Sequence, residues 1–323
     1  MRILLVSGGG IPIPPPRWGG VENLIWQQAT ALRAAGHEVD ICNVPARGIK
    51  KVPLAISTKP WTYDIVHLHL DNSSKYWIPL TKIFKFNLLI STHYGYAAFP
   101  EHWNSVYPRI FQNLKKAPNL LLISPEIEKT FRRLGATARM FVLPNGINCA
   151  SLKWKPKGTK DAICLARVEK RKKQTLLASK LDKTDVVCDF AGPIDPEIDF
   201  VVNERNTHYI GEWSRDQIQE NLTDYRCLVL ISDGEGHAAV LSEAMAAGVS
   251  LVVSPQASHN LDLSLPWIYA IDPEKDDIPA AIQKAIDENE RYRKEIRAYC
   301  EADFDWKVIM PRYIEILEQI VAK

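Results

Sequence analysis

The chain has 323 residues, more than one hydrophobic core usually organises, and at about 150 residues per domain this length predicts two domains. Its composition, 46% hydrophobic and 24% charged, excludes an intrinsically disordered or fibrous protein. No apolar run approaches the roughly 18 residues that span a bilayer, and the N-terminal "MRILLVSGGG" has too short an apolar run for a signal peptide, so a cytoplasmic protein is expected.

The net charge is only +2, but the charged residues are unevenly distributed along the chain. Residues 1–150 carry 17 Lys and Arg against 8 Asp and Glu, whereas the remainder carries 23 against 30. This asymmetry predicts that the N-terminal half meets an anionic partner, either a phosphate-bearing substrate or a lipid surface. The alternative is a solvated basic surface that has no partner.

Short apolar runs alternate with helical segments through the first half of the chain. The predicted strands are "RILLVS", "EVDICNV", "DIVHLH", "NLLIST", "NLLLIS" and "MFVLP". Strands that alternate with helices in this way are typical of a parallel sheet covered on both faces. Open sheets of this kind bind ligands at the carboxyl ends of their strands, so the loops that follow the strands are the candidate sites.

The loop after the first predicted strand is rich in glycine and proline. Gly19 and Gly20 end the segment "GGGIPIPPPRWGG" and open a helix that runs to Gly36. Glycines let a phosphate approach the backbone closely, and a helix N-terminus offers free N–H groups and a partial positive charge. The segment lacks the GxGxxG spacing of a dinucleotide site, which disfavours a nicotinamide dehydrogenase. The alternative is that both glycines only shape a turn.

Histidines stand at the ends of two further strands. His67 and His69 in "DIVHLHLDN" are expected on one side of a strand, but no third ligand accompanies them, so a metal site is not expected. His93 ends the apolar run "NLLISTHYG", where a strand meets the edge at which ligands bind. It is therefore a candidate functional residue, the alternative being a histidine that packs a strand end.

A second series of strands follows a polar segment near residues 148–160, "NGINCASLKWKPKGTKD", which we take as the domain boundary. The predicted strands of this half are "AICLA", "VVCDFA", "HYI", "CLVLIS" and "SLVVSP". From residue 277 the pattern is helical, and Pro311 is expected in the first turn of the last helix. The chain is thus predicted to hold two doubly wound α/β domains.

Two carboxylates bracket a stretch of small residues between "CLVLIS" and "SLVVSP". Glu235 and Glu243 in "DGEGHAAVLSEAMAAG" lie eight positions apart, which on one helix would leave their side chains roughly 80° apart. If the helix begins near His237, Glu235 lies in the loop before it, and the amides of Gly236, His237 and Ala238 are available to a ligand. Two separated carboxylates suit an extended ligand that is rich in hydroxyls.

The segment "EGHAAVLSEAMAAGVSLVV" resembles the signature of the retaining glycosyltransferases of family four, whose usual form is close to EGFGLVxLEAMAxGxPVV. It keeps both acids, the first glycine and the "EAMAAG" ending. It departs at His237, where the family usually has an aromatic residue, and at Ala238, where the family usually has Gly or Pro.

Other segments resemble the same family in the same order. "RWGGVENLIWQQATALRAAGHEV" is similar to its GG-x-E loop and first helix, "STHYG" to its Thr-x-His strand end, and "SPEIEKTFRRLG…FVLPNGIN" to the end of its first domain. "DFAGP" and "HYIGEW", the latter with Gly211, resemble its loops around the nucleotide, and "FDWKVIMPRYIEIL" resembles its closing segment. The likeness therefore extends over most of the chain.

The segment "CLARVEKRKKQTLLA" is similar to the family pattern GRLxxxKGxxxLL. Arg167 and Lys172 match the diphosphate-binding Arg and Lys of that pattern. Ala166 and Lys173 stand where the family has glycine, so Lys170 or Lys173 remains an alternative to Lys172.

The resemblance implies the GT-B fold, in which two Rossmann-like domains face a cleft. An N-terminal acceptor domain would cover residues 1–150, a donor domain residues 151–306, and a last helix, about residues 307–323, would cross back to the first domain. It implies a sugar transfer with retained configuration from a UDP- or GDP-linked donor to a hydroxyl of a glycan, a lipid-linked or a small-molecule acceptor. No metal, cofactor or nucleic acid is expected, and the charge asymmetry allows peripheral contact with an anionic membrane.

The residues carried over from the family fall into two groups. In the mechanism that the resemblance implies, Glu235 holds the sugar hydroxyls and Glu243 the ribose, while His93 orients the reacting groups. The expected catalytic residues are His93, Arg167, Lys172 and Glu235, and the expected donor-binding residues are Gly19, Gly20, Gly211, Gly236, His237, Ala238 and Glu243.

Other functions remain open on the sequence alone. A nucleotide-sugar epimerase or a phosphorylase uses a similar cleft, and a non-catalytic relative would bind a nucleotide or a glycan. A glycosidase also uses two carboxylates, but it needs neither a cationic diphosphate site nor paired nucleotide-type sheets.

Overall fold

The computed structural model describes residues 1–16 and 19–322, and the chain divides into two compact units. The first unit is Met1–Gly146 together with the helix that ends the chain, and the second unit is Ile147–Asp305. Arg17 and Trp18 of the predicted glycine loop lie outside the described residues.

The first unit contains a parallel sheet of six strands in the order β2-β1-β3-β4-β5-β6. The strands are short and mostly buried, as expected for a sheet covered on both faces. They are β1 (Arg2–Val6), β2 (Glu38–Cys42), β3 (Ile65–Leu68), β4 (Leu88–Ser91), β5 (Asn119–Leu122) and β6 (Arg139–Val142). The helices are α1 (Gly20–Ala34), α2 (Lys51–Ser57), α3 (Ser74–Phe84), α4 (Tyr107–Leu114), α5 (Pro125–Arg133) and α10 (Trp306–Val321).

Alternate strand residues separate the helices of this unit into two layers. Leu4 of β1 faces a core that includes residues of α2, α3, α4 and α5. Its neighbours Ile3 and Leu5 face a second core, which α1 and α10 complete. The period of two along the strand therefore decides which helices each residue contacts.

The last helix begins earlier than the sequence pattern indicated. It starts at Trp306, so Pro311 lies inside the helix and not in its first turn as expected. Ile309 and Met310, which precede the proline, are buried in the core that α1 shares. Burial of these two side chains extends the helix toward its N-terminus, although the proline removes one backbone donor.

The second unit contains another parallel six-stranded sheet, in the order β12-β11-β10-β7-β8-β9. Its strands are β7 (Lys160–Leu165), β8 (Cys188–Ala191), β9 (Thr207–Tyr209), β10 (Tyr225–Leu230), β11 (Ser250–Val253) and β12 (Ile268–Ala270). Its helices are α6 (Gln174–Leu181), α7 (Arg215–Asn221), α8 (Ala239–Ala246) and α9 (Ile278–Asp303). The prediction of two doubly wound parallel sheets is confirmed.

The edge strand β12 was not predicted. It has only three residues and one of them is buried, which is too short to show an alternating pattern. Its pairing with β11, which places Leu251 opposite Ile268, makes it a strand. Within residues 1–16 and 19–322, no helix combines the length and the apolar character needed to cross a bilayer.

Candidate functional site

Each sheet contains one pair of neighbouring strands from which the chain continues to opposite sides, which we call its switch point. In the second unit β7 and β10 are neighbours, and the strands that follow them, β8 and β11, lie on opposite sides of this pair. In the first unit β1 and β3 form the corresponding pair. Open α/β sheets bind ligands at the carboxyl ends of such strands. The loops at residues 166–173 and 231–238 are therefore the candidate site of the second unit.

Glu235 lies at this switch point and is almost fully buried, with 7% of its surface exposed. Its Oε1 accepts a hydrogen bond from Lys172 Nζ at 2.6 Å, and its Oε2 lies 3.1 Å from Arg171 Nη1. Burial alone would raise the pKa of Glu235, but the Lys172 ammonium and the Arg171 guanidinium outweigh it and hold the pKa below its usual value. The carboxylate is thus ionised near neutral pH and acts as a hydrogen-bond acceptor.

Arg171 joins the two loops of the switch point, and no sequence motif indicated a role for it. Besides Glu235, its Nη1 donates to the Gly234 carbonyl at 2.5 Å, and its Nη2 donates to Glu169 Oε1 at 2.7 Å. Its own carbonyl accepts from the Asp233 amide at 2.9 Å. Arg171 stands in the basic run "KRKK", and nothing in the sequence distinguished it from its neighbours.

Arg167 and Lys172, the expected diphosphate pair, have different surroundings. Lys172 is ion-paired with Glu235, whereas Arg167 is exposed and forms no ion pair with a described residue. Lys173, one alternative to Lys172, is 2.8 Å from Asp233 and 3.2 Å from Glu274. Lys173 has a φ of 54°, the left-handed conformation that glycine adopts most easily, which agrees with the family glycine at this position. Lys170, the other alternative, is exposed.

Glu235 lies in the loop before α8, whereas Glu243 lies on the helix itself. The helix begins at Ala239 with Ala238 as its N-cap, two residues later than expected, and no side chain caps it. Glu243 forms an ion pair with Arg215 of α7, a residue that no sequence motif indicated. The amides of Gly236, His237 and Ala238 precede the helix at its positive end.

His237 occupies the position where an aromatic residue is usual. Its ring packs 5.6 Å from that of Phe304, and its nitrogens lie 2.9 Å from Asn260 Nδ2 and 3.3 Å from Ser242 Oγ. Burial lowers the pKa of His237 to about 4. The neutral imidazole therefore fills an aromatic site and also makes polar contacts that phenylalanine cannot make.

Gly211 follows the edge strand β9, two strands from β7. Its φ is 83°, and its carbonyl accepts from the Gly192 amide at 3.0 Å. At Gly192 a Cβ would lie 2.1 Å from the Ala166 carbonyl oxygen, so only glycine fits there. The glycines of "DFAGP" and "HYIGEW" thus shape the loops beside Arg167 through backbone contacts.

The switch point of the first unit is followed by the glycine loop. Gly19 is the N-cap of α1 and Gly20 its first residue. A Cβ on Gly19 would come within 3.0 Å of Pro15 and 3.2 Å of the Glu22 carboxylate, whereas one on Gly20 would meet no atom within 4 Å. No described side chain caps the helix, and the positive charge at its first turn favours an anion.

His93 belongs to a stacked group of three histidines. Its Nε2 lies 3.2 Å from His69 Nδ1, and the ring of His69 lies 3.9 Å from that of His67. His67 in turn contacts the Tyr313 hydroxyl at 2.6 Å and the Ser91 hydroxyl at 2.7 Å. The last helix therefore contributes a contact to this cluster that strand spacing did not predict.

Burial keeps all three of these histidines neutral. It lowers the pKa of His67 to about 3 and that of His93 to about 4, and it also lowers the pKa of His69 strongly. A cavity of about 20 Å³ borders the three rings, and Gln28 Oε1 and His69 Nε2 in its lining have no partner among the described residues. Such a volume holds about one water molecule.

The pair His67 and His69 does not form part of a metal site in the described structure. Among residues 1–16 and 19–322, no group of three His, Cys, Asp or Glu side chains is placed to hold a metal ion. His67 uses both ring nitrogens for hydroxyl contacts.

Two solved structures share the architecture of the whole chain. Sucrose-phosphate synthase from Thermosynechococcus elongatus superposes with a TM-score of 0.80 at 18% identity, covering 99% of each chain. The Anabaena protein HepE in complex with UDP-glucose superposes with a TM-score of 0.75 at 16% identity, covering 99% of this chain and 100% of that one. No curated sequence matches this chain significantly.

These likenesses establish the GT-B fold. More narrowly, residues 153–301 match the model of the family described as glycosyl transferases group 1. Because of this match the chain is a glycosyltransferase, and the resemblance of its "EGHAAVLSEAMAAG" segment to glycosyltransferases is confirmed.

Proposed function

We propose that the protein transfers a sugar, with retained anomeric configuration, from a nucleoside-diphosphate sugar to an acceptor hydroxyl, without a metal ion. The observation that carries this proposal is the buried Glu235 carboxylate, held by Lys172 and Arg171 at the switch point of the second sheet. The UDP-glucose complex of HepE supports a UDP-linked donor.

The second unit, residues 151–306 in our assignment, is the proposed donor domain. Glu235 accepts hydrogen bonds from the sugar hydroxyls and Glu243 from the ribose. Lys172 and the exposed Arg167 bind the diphosphate, where positive charge stabilises the negative charge that develops as the phosphate leaves. Glu235 and Lys172 form an ion pair with each other, and the bound donor would engage both groups.

The first unit, residues 1–150 with the last helix, is the proposed acceptor domain. His93 is neutral near pH 7, so it can accept a hydrogen bond from the acceptor hydroxyl and orient it. The amides at Gly19 and Gly20 are the proposed contacts for a donor phosphate. The positive charge of this part of the chain favours an anionic acceptor, and we place the protein in the cytoplasm or at an anionic membrane surface.

Nucleotide binding is the first experiment. UDP and GDP are added separately at concentrations up to 100 times the dissociation constant, where a specific ligand stabilises the fold by about 2.7 kcal/mol. We expect UDP to raise the melting temperature of the wild type. A chain that neither nucleotide stabilises would contradict the donor assignment.

Turnover is measured next, with UDP-glucose and a panel of acceptors, as release of UDP. Glu235→Gln should abolish transfer because an amide neither pairs with Lys172 nor accepts from the sugar as strongly. Glu197→Gln, at an exposed position, is the matched control and should retain activity. Full transfer by Glu235→Gln would refute the role of this residue.

The product distinguishes the remaining alternatives. Proton NMR of the new linkage should show the configuration of the donor, and inversion would overturn the retaining assignment. An epimer formed without acceptor would indicate an epimerase, and a requirement for inorganic phosphate would indicate a phosphorylase.

A further inference from the structure

A surface of the first unit combines exposed apolar side chains with lysines. It lies where α2 and α3 end and is formed by Lys59, Trp61, Lys82, Ile83, Phe84 and Lys85, which we call the tryptophan–lysine patch. The ring of Trp61 stacks on that of Phe84 at 4.7 Å, which joins the segment after α2 to the end of α3. The two segments that carry the six residues are therefore adjacent.

The apolar members of the patch are unusually exposed. The exposed fraction is 67% for Ile83 and 43% for Trp61, although both are large hydrophobic residues. A single exposed isoleucine needs no explanation, but here it adjoins an exposed indole that is stacked on another aromatic ring. These apolar side chains are thus exposed to water, and their burial against an apolar partner would be favourable.

The two segments that carry these side chains contain charged residues of one sign only. Residues 44–63 contain four Lys and Arg, residues 72–87 contain three, and neither segment contains Asp or Glu. The next acid along the chain, Asp64, accepts a hydrogen bond from the Arg2 amide at 2.7 Å. The excess charge of the N-terminal half is therefore concentrated partly on this surface, and the complementary partner is anionic.

Two of the lysines adopt a conformation that disfavours them. Lys59 has a φ of 51° and Lys85 a φ of 50°, in the left-handed region where glycine usually ends a helix. The backbone at both positions would be less strained with glycine. Substitution by glycine at these two positions therefore removes a charge without adding backbone strain.

We propose that the tryptophan–lysine patch binds the surface of a bilayer that contains anionic phospholipids. Trp61 and Ile83 enter the interfacial region, and Lys59, Lys82 and Lys85 contact the headgroup phosphates. Indole, aliphatic and lysine side chains together are typical of membrane interfaces. There an exposed isoleucine is buried in an apolar layer, which a nucleic acid does not offer. The inference goes beyond the transfer reaction and does not depend on it.

Cosedimentation tests this proposal without any sugar donor. The full-length protein is mixed with vesicles of phosphatidylcholine, with or without phosphatidylglycerol, in 0.1 M and in 1 M salt. We expect binding only to the anionic vesicles at the lower salt concentration, because the screening length falls from about 10 Å to about 3 Å between these concentrations. Equal binding to both kinds of vesicle, or none to the anionic kind, would overturn the proposal.

Lysine-to-glycine variants remove the charge without straining the fold. Each of Lys59→Gly and Lys85→Gly should lower the partition coefficient about fivefold, and the double variant about 25-fold, at the energy typical of one lysine near an anionic surface. Lys183→Gly is the matched control, since Lys183 is exposed, has a φ of 64° and belongs to the second unit. If the control lowers binding as much as Lys59→Gly does, the patch is not the site.

Apolar variants address the other possible partners. Trp61→Ser combined with Ile83→Asn should also weaken vesicle binding, with the melting temperature as a check that the fold persists. Two outcomes would contradict the membrane assignment. One is a dimer in sedimentation equilibrium that these substitutions dissociate, and the other is tighter binding to an oligonucleotide than to vesicles. Transfer to a soluble acceptor should be unchanged in every patch variant, so failure here leaves the proposed reaction intact.

Discussion

Glu235 in the second unit and the histidine cluster of the first unit are buried near switch points in opposite charge states. In the second unit Glu235 is buried as an ion, because Lys172 and Arg171 lie within 3.1 Å of its oxygens. In the first unit His67 and His93 are neutral, because burial disfavours their charged forms and no carboxylate contacts them through a hydrogen bond or ion pair in the described residues. A buried group keeps its charge when an oppositely charged group pairs with it, and it becomes neutral when no such group is present.

This difference matches the chemistry that we propose for each unit. A departing diphosphate needs positive charge that is already in position, which Lys172 supplies in the second unit. An acceptor hydroxyl needs a neutral hydrogen-bonding group that orients it, which His93 supplies in the first. Lys172→Met is expected to have the largest effect, His67→Gln a smaller one and His237→Phe the smallest.

Removal of the charge on Lys172 should have the largest effect. We expect Lys172→Met to lower kcat about 10²- to 10³-fold, the usual loss when one group that stabilises the transition state is removed. Steady-state kinetics of UDP release provide the measurement, and the melting temperature monitors the fold. If the variant melts at a lower temperature but keeps its kcat, Lys172 serves only to neutralise Glu235.

The matched control for this variant is Lys173→Gly, which removes the adjacent cation. It suits the left-handed backbone at residue 173 and restores the family glycine. We expect it to keep its kcat, because Lys173 is paired with Asp233 and Glu274 and not with Glu235. If Lys173→Gly lowers kcat as much as Lys172→Met does, the assignment of the diphosphate contact to Lys172 is wrong.

The histidine cluster should make stability depend on pH. The pKa of His67 falls from 6.5 in the unfolded chain to about 3 in the fold, so below pH 6.5 the unfolded state binds more protons and the fold loses free energy. The loss is at most about 1.4 kcal/mol per pH unit for one histidine. We expect urea unfolding of His67→Gln to show a shallower decline between pH 6.5 and pH 4.5 than the wild type.

The contribution of Glu235 to stability depends on pH in a lower range than that of His67. Its pKa is held below the usual 4.5, so its contribution to stability is complete above pH 4.5 and is lost as the pH falls through the folded pKa. Glu235→Gln should therefore leave the slope between pH 6.5 and pH 4.5 unchanged. A slope that flattens in Glu235→Gln and not in His67→Gln would reverse the comparison.

The substitution His237→Phe should have the smallest effect. Phenylalanine restores the aromatic side chain usual in the family and can pack on Phe304, but it loses the polar contacts to Asn260 and Ser242. Each such hydrogen bond contributes about 1 kcal/mol, so the melting temperature should fall by a few degrees. Steady-state kinetics with several UDP-sugars would show whether the order of KM values changes, as expected if the imidazole contacts the sugar.

Local pattern was enough to predict most of the strands and the position of Glu235. The strands were visible because both faces of each sheet are covered, which makes the segments almost wholly apolar. The short strand β12 was missed because its three residues show no period and only pairing with β11 makes them a strand. Pro311 was misplaced because burial of Ile309 and Met310, and not a local signal, extends the last helix.

The sequence by itself determined the alternation of strands and helices, the order of the glycosyltransferase motifs and the identity of the acidic and basic residues. Only the tertiary structure decided which cation reaches which carboxylate, because Arg171 and Glu235 are 64 positions apart along the chain and meet where β7 and β10 are adjacent in the sheet. It likewise brought Tyr313 to His67, across 246 positions. Spacing along a chain predicts neighbours within an element, whereas contacts between elements depend on how the sheets order their strands.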